Sequence, residues 1–267
     1  MSYLSPISTM LVGAVKKAGQ SLTRDFNEIE KLQSSVKGHS EFVVATLNRA
    51  TKVLQQELAK AKPNYPFYMD GKPRPQGTYF VISPIDGLMN FAHGIPHFSV
   101  SASIVENGVT LVAAVYNPAT DELYFAEKGV GAFKEGYRNH ERLRVSARKE
   151  IKGALVASLL KYKEKAEEFH LLHGRLSAAT EDLRVFGALS LDLAYVAAGR
   201  LDASVSLANS VSELTAGLLL VKEAGGSILE LNQKDIRTQD LDLVFDSGNI
   251  LVSNQLLAKP LHELLNK

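Results

Sequence analysis

The chain has 267 residues, 45% of them hydrophobic, which is enough apolar sequence to bury a large core in one domain or in two closely packed halves. Its 30 Lys and Arg against 29 Asp and Glu give a formal net charge of +1, so no direct nucleic-acid binding is expected. The absence of cysteine excludes disulfides, thiolate chemistry and Cys-based metal centres, and leaves oxygen or His as metal ligands. The sequence contains neither a membrane-span pattern nor a signal-peptide pattern, which predicts a cytoplasmic protein.

Apolar residues spaced three or four apart predict two helices at the start of the chain. The first follows the stripe from Ile7 to Phe26. The second, with Ser40 as its expected N-cap, runs from Phe42 until Pro63 stops it. A loop rich in Pro and Gly is expected from there to residue 78.

From residue 79 the pattern changes to short runs rich in β-branched and aromatic residues. The expected strands are Tyr79–Ile82, Phe98–Val105, Thr110–Tyr116 and Glu122–Glu127, which predicts a mostly antiparallel sheet. The Gly129–Gly131 segment is interpreted as a β-turn. After about residue 150, strands alternate with helices, the last helix starting at Gln255. This order predicts a layered α+β fold in two halves, about 1–150 and 151–267.

The stretch from residue 79 to 94 is the most informative of the chain. Its strand is expected to end at Ile82, before Pro84, and Asp86-Gly87 then turns the chain so that the N–H groups of Gly87 and Leu88 open a short helix. Such a helix start attracts anions, and the neighbouring carboxylate could hold a cation. A plain turn between two strands is the alternative interpretation.

Two motifs in this order resemble the inositol monophosphatase family, including its bacterial SuhB-like members. The family motif Asp-Pro-Ile-Asp-Gly-Thr-x-Asn-Phe is similar to Ser83-Pro-Ile-Asp-Gly-Leu-Met-Asn-Phe91, with His93-Gly94 just after it. The second motif, Trp-Asp-x-Ala-Ala-Gly running to Glu-Ala-Gly-Gly, is similar to Ser212-Glu-Leu-Thr-Ala-Gly217 running to Glu223-Ala-Gly-Gly226. The resemblance spans most of residues 1–260.

The resemblance implies a single domain, residues 1–267, with the layered αβαβα sandwich of the inositol monophosphatase and sugar phosphatase type. It also implies a homodimer, and Mg²⁺-dependent hydrolysis of a small phosphorylated polyol or sugar. By the same resemblance the metal ligands are Asp86, Glu213, Asp70, Ser83 and the carbonyl of Ile85. Phosphate would bind at Gly87 and Leu88, and substrate at Gly187, Ala188 and Ser206.

Several of these positions depart from the family pattern. Ser83 replaces a carboxylate that bridges two metals in the family, Asp70 is a shortened acid and Glu213 a lengthened one. Leu47 and Leu88 occupy the family's water-activating positions, where they cannot take a proton. The sequence therefore predicts an eroded site, weak or absent Mg²⁺ binding and very low or lost activity.

Two alternatives stay open, a working enzyme with a rearranged single-metal site and a non-catalytic homologue that acts as a regulatory or binding protein. Two histidine pairs elsewhere in the chain are weaker candidates for metal binding. Gly94, Ile95 and Pro96 between His93 and His97 disfavour a shared zinc face. His170 and His173 are interpreted as part of a solvated helix surface.

Overall fold

The computed structural model describes residues 4–32, 36–68, 70–137, 139–160, 163–234 and 241–267, without the side chains of residues 30–39. Two long helices open the fold, α1 (Pro6–Leu32) and α2 (Val36–Ala61). The first of these, α1, confirms the helix predicted from the apolar residues between Ile7 and Phe26. The second begins four residues before Ser40, so the prediction of Ser40 as N-cap was wrong. The polar residues that precede the apolar stripe continue the helix.

Six strands form the first sheet, in chain order and antiparallel throughout. They are β1 (Thr78–Asp86), β2 (Ser99–Glu106), β3 (Val109–Asn117), β4 (Glu122–Glu127), β5 (Gly131–Lys134) and β6 (Glu141–Arg142). The first four confirm the predicted strands, and Gly129 lies in the turn between β4 and β5 with a φ of 76°. The last two strands were not predicted, because they are short and lack an alternating pattern.

The first strand continues past Pro84 to Asp86, so the prediction that it ends at Ile82 was wrong. Its pairing with β2 shifts register between Ser83 and Asp86, which is a bulge. Because β1 is an edge strand and Pro84 lies inside the bulge, the missing N–H of proline removes no ladder hydrogen bond. Gly87 then leads into the short helix α3 (Leu88–Ala92), as the sequence predicts.

The second half contributes a five-stranded mixed sheet with the strand order β10-β11-β9-β7-β8. Its strands are β7 (Leu155–Leu160), β8 (Asp182–Arg184), β9 (Ala203–Leu207), β10 (Gly226–Glu230) and β11 (Ile250–Asn254). The helices are α4 (Ala166–Ala179), α5 (Leu189–Ala197), α6 (Val211–Glu223), α7 (Leu241–Ser247) and α8 (Gln255–Leu265). The last of them confirms the helix predicted from Gln255, whereas α7, with seven residues, is too short to give a periodic pattern.

These elements stack in five layers. α1 and α2 cover the outer face of the first sheet, α5 and α6 lie between the two sheets, and α4 and α8 cover the outer face of the second. One apolar cluster packs the middle helices against both sheets, and two further clusters fill the contacts of the sheets with the outer helices. The layered α+β fold predicted from the sequence is confirmed. Within the described ranges, no helix is long and apolar enough to cross a bilayer.

Candidate functional site

Asp86, a predicted metal ligand, lies at the carboxyl end of β1, just after the bulge. Its side chain is buried, with 3% of the residue exposed, and its Oδ2 accepts a 2.5 Å hydrogen bond from the backbone N–H of Ser190 at the start of α5. Burial raises the pKa of Asp86 to about 7, and the nearby charge of Glu213 acts in the same direction. The hydrogen bond from Ser190 opposes this shift without cancelling it.

Glu213 lies in the first turn of α6, where its carboxylate takes part in a capping box. Its Oε2 accepts hydrogen bonds from the hydroxyl of Ser210 at 2.9 Å and from the backbone N–H of the same residue at 3.4 Å. The backbone carbonyl of Glu213 accepts from the hydroxyl of Ser190 at 3.1 Å. Ser190 therefore links the two acids, and the structure brings Asp86 and Glu213 to one place.

Asp70 approaches the same helix from the loop before β1. Its two carboxylate oxygens accept from the backbone N–H of Ser212 at 3.2 Å and from the Ser212 hydroxyl at 2.5 Å. Asp70 is exposed to solvent. Since Ser212 directly precedes Glu213, Asp70 contacts the same turn of α6 that carries Glu213.

The other predicted ligands lie in the bulged end of β1. Ser83 and Ile85 are buried, with 5% and 8% exposed, and Ser83 faces Ser101 across the ladder. A serine hydroxyl brings no charge to this position, so the negative charge comes from Asp86 and Glu213, with Asp70 at the exposed side.

Gly87 forms the turn from β1 into α3 with a φ of 81°, in the left-handed region that favours glycine. A Cβ at this position would lie 2.9 Å from the carbonyl oxygen of His97 and 3.0 Å from Cβ of Ala188. Both conformation and space therefore require glycine here. The same close approach places Ala188, a predicted substrate position, against the turn that carries the predicted phosphate-binding N–H groups.

Asn90 joins three segments of this region. Its Nδ2 donates to the carbonyl of His97 at 2.7 Å and to the carbonyl of Phe186 at 2.6 Å. These bonds hold the turn at Gly187, which has a φ of 81°, against α3. The sequence identified Asn90 only as a motif match, because nothing local to residue 90 specifies partners at residues 97 and 186.

The residues at the two predicted water-activating positions are apolar, and so are their surroundings. Leu47 on α2 and Leu88 at the start of α3 both pack against the hydrophobic cluster between the first two helices and the first sheet. The predicted substrate residue Ser206 is fully buried in β9. Its hydroxyl bonds to Oδ1 of Asn209 at 2.8 Å and to the carbonyl of Leu159 at 3.3 Å.

An acid and a histidine that the sequence analysis did not identify as a pair lie next to the site. Asp192 on α5 is completely buried, and its Oδ1 lies 3.8 Å from Nε2 of His97. Burial raises the pKa of Asp192 to about 6, against the opposing effect of His97. His97 also stacks on Phe186 with 4.7 Å between ring centroids. The available signal was a single acid in the otherwise apolar segment of α5.

The donor set can be compared with what a metal cluster requires. Within the part of the chain that the structure describes, no group of three or more His, Asp or Glu side chains has a metal-binding arrangement. Two divalent cations that share a site repel each other unless charged ligands offset the repulsion, and the hydroxyl of Ser83, three residues before Asp86, carries no charge. These residues do not fit a bridged two-metal cluster.

Comparisons with known proteins agree with the fold and the motifs. The profile of the inositol monophosphatase family matches residues 3–267. The chain is 36% identical to the inositol-1-monophosphatase of Rhizobium meliloti over 98% of this chain and 97% of that protein. It is 32% identical to the Nus factor SuhB of Xylella fastidiosa, with 97% and 94% covered.

Solved structures extend the agreement to three dimensions. The crystal structure of the extragenic suppressor protein suhB from Bartonella henselae superposes with a TM-score of 0.84 at 32% identity, covering 98% of this chain and 100% of that one. The five layers of this chain therefore match those of the solved suhB structure. The chain belongs to the inositol monophosphatase family.

Proposed function

We propose that this chain is an inositol-monophosphatase-family protein in which Mg²⁺-dependent hydrolysis of phosphomonoesters is very weak or lost. The observation that carries the proposal is Ser83 at the bulged end of β1, beside Asp86. A hydroxyl in place of a bridging carboxylate removes the charge that allows two cations to approach one phosphoryl group. A single ion coordinated by Asp86, Glu213 and the Ile85 carbonyl is the metal binding we propose to remain.

The residues at the two predicted water-activating positions support the same conclusion. Leu47 and Leu88 pack into a hydrophobic cluster, and neither side chain can polarise or deprotonate a water molecule. Metal-assisted hydrolysis needs both the cations and an oriented water, so the two losses act together.

The remaining acids already have protein partners. Glu213 caps its own helix through Ser210, and Asp70 accepts two hydrogen bonds from Ser212. A metal ion must compete with these donors for the same oxygens, which weakens binding further. The turn at Gly87 and Leu88 keeps its backbone geometry, and we propose that it still binds the phosphate of a small phosphorylated polyol or sugar.

A second candidate is a regulatory or binding role without catalysis, in a homodimer. Its specific support is the naming of relatives at 31–34% identity as Nus factor SuhB, several of them matched over more than nine tenths of both chains. The family therefore includes members described by something other than phosphatase activity. In this role the site would serve recognition instead of turnover.

A phosphate-release assay tests the proposal. Purified protein is incubated with inositol phosphates and a panel of sugar phosphates while Mg²⁺ is titrated to about 50 mM, far above the affinity of an ordinary octahedral site. We expect little or no release above a no-enzyme blank. Robust turnover of any substrate would overturn the proposal, and calorimetry with the same compounds separates ligand binding without turnover from no binding at all.

A further inference from the structure

An open cleft of the described chain lies away from the candidate site. It has a volume of about 730 Å³ and lies between the β2–β3 turn, the second half of α6 and α7. None of the residues that line it belongs to the predicted metal, phosphate or substrate set. Clefts of this volume are typical of sites for small organic ligands.

The cleft has an apolar floor. Leu218 and Leu219 of α6 form its base, and Val109, Leu241 and Phe245 line its walls. The two leucines are almost fully buried, whereas Val109 is 41% exposed at the tip of the β2–β3 turn. Such a surface favours a ligand with an apolar ring or a short alkyl chain, because its contact removes apolar area from water.

The polar part of the lining is cationic. Lys128 and Lys222 are both exposed at the cleft, and no acid among the described residues forms an ion pair with either. Some other lysines of the chain are paired, for example Lys16 with Glu135 and Lys134 with Glu122. Among the described residues, no ion pair offsets the charge of these two lysines, which favours an anionic ligand.

The described acids next to the cleft have other partners. Asp242 lines the cleft, but it is bonded to Arg74 at 3.2 Å, and the same guanidinium lies 5.5 Å from the Phe245 ring. The carboxylate of Glu223 accepts from the backbone N–H of Gly129 at 2.9 Å. This last bond joins the residues that directly follow Lys128 and Lys222, and so ties together the two segments that carry the lysines.

We propose that this cleft is a second binding site, for a small amphipathic anion whose acidic group lies between Lys128 and Lys222. Its ring or chain packs on Leu218, Leu219 and Val109. The ligand class follows from charge complementarity on an apolar base, and the proposal does not depend on phosphatase activity at the other site. Because α6 forms the base of the cleft and carries Glu213 in its first turn, one helix contacts both sites.

The test uses the full chain and the fluorescent anion 1-anilinonaphthalene-8-sulfonate. We expect saturable binding to the native protein, weakened about tenfold or more by combined Lys128→Gln and Lys222→Gln substitution, since two charge-assisted contacts are lost. A matched control replaces Lys52 and Lys149, which are exposed and lie outside the cleft, and should leave the affinity unchanged. Val109→Trp should block the cleft, whereas Leu171→Trp, at a similarly exposed apolar residue on α4, should not.

A competition series examines the ligand class. Decanoate should displace the probe at least about tenfold better than decanol, which has the same chain and no charge. Thermal unfolding of each variant checks that it is folded. Unchanged affinity in the Lys128 and Lys222 variant, binding that does not saturate, equal competition by decanol, or displacement by Mg²⁺ with inorganic phosphate would overturn the proposal.

Discussion

The backbone N–H of Ser190 donates a 2.5 Å hydrogen bond to Oδ2 of Asp86, a residue 104 positions earlier in the chain. The bond joins the end of β1 to the start of α5 and gives a buried carboxylate a protein partner. The charge of Asp86 is therefore stabilised in part by the fold itself.

Restoring the family residues together should restore hydrolysis. We expect the combined variant Ser83→Asp, Leu47→Asp, Leu88→Thr and Glu213→Asp to release phosphate at least about tenfold faster than any single variant, because each group acts only on a geometry that the others supply. Rates at saturating Mg²⁺ are compared for the native chain, the singles and the combination. A single substitution that matches the combination would contradict this cooperativity. Urea unfolding is needed for each variant, because a carboxylate returned beside Asp86 repels it.

Mg²⁺ binding should be weak and limited to one ion. Isothermal calorimetry on the native chain is expected to give a millimolar dissociation constant or no heat, because the donors include only two close carboxylates and a hydroxyl. Asp86→Asn should abolish whatever signal is present, whereas Glu150→Gln, at an exposed acid outside the site, should not change it. Two tight, sequential Mg²⁺-binding events would contradict the prediction of one weak site.

Asp86 should make stability depend on pH in a defined window. Its pKa is raised from 3.8 to about 7 in the folded protein, so between about pH 4 and 7 the unfolded chain releases a proton that the folded chain retains. The free energy of unfolding should therefore fall as the pH rises through this window and level off above it. Asp192, with its pKa raised to about 6, acts in the same direction.

Asp86→Asn removes the ionisation while it keeps an oxygen for the Ser190 N–H. In EDTA we expect this variant to be more stable than the native chain at pH 8 by on the order of 2 kcal/mol, with a smaller difference at pH 4. Urea unfolding at the two pH values measures it, with Glu150→Gln as the control. A stabilisation that is the same at both pH values would refute the assignment to ionisation.

Gly87→Ala should destabilise the protein more than Gly225→Ala. Both glycines have a left-handed φ, 81° and 86°, so both changes cost about 1–2 kcal/mol for conformation. Only at Gly87 would the new Cβ also meet the His97 carbonyl, at 2.9 Å, whereas nothing lies within 4 Å at Gly225. The difference between the two unfolding free energies isolates the steric part, and equal losses would mean that the turn adjusts freely.

The sequence predicts most of the fold because its long elements carry strong periodic patterns, such as the stripe of α1. It fails where a short element depends on partners elsewhere. Pro84 was expected to stop β1, yet the edge position of that strand and its bulge allow proline inside it. The start of α2 before Ser40 and the whole of α7 likewise lack a local signal.

In the candidate site, too, the sequence predicts some features and misses others. Motif spacing identifies Asp86, Gly87 and Glu213, and the structure brings them together around Ser190. The bonds from Asn90 and the pair formed by Asp192 and His97 connect residues that the chain separates widely. Such contacts follow only from the packing of the two sheets on the middle helices.

The hydrogen bond from Asn90 to Phe186 joins two residues that are 96 positions apart in the chain. Contacts of such separation form late in folding, because the entropy of closing the loop is lost before the contact can offset it. The first sheet can assemble from hairpins of neighbouring strands, whereas the turn at Gly87 acquires its final surroundings only when the second half arrives. In pulsed hydrogen exchange during refolding, the amides of β3 and β4 should gain protection before those of α3.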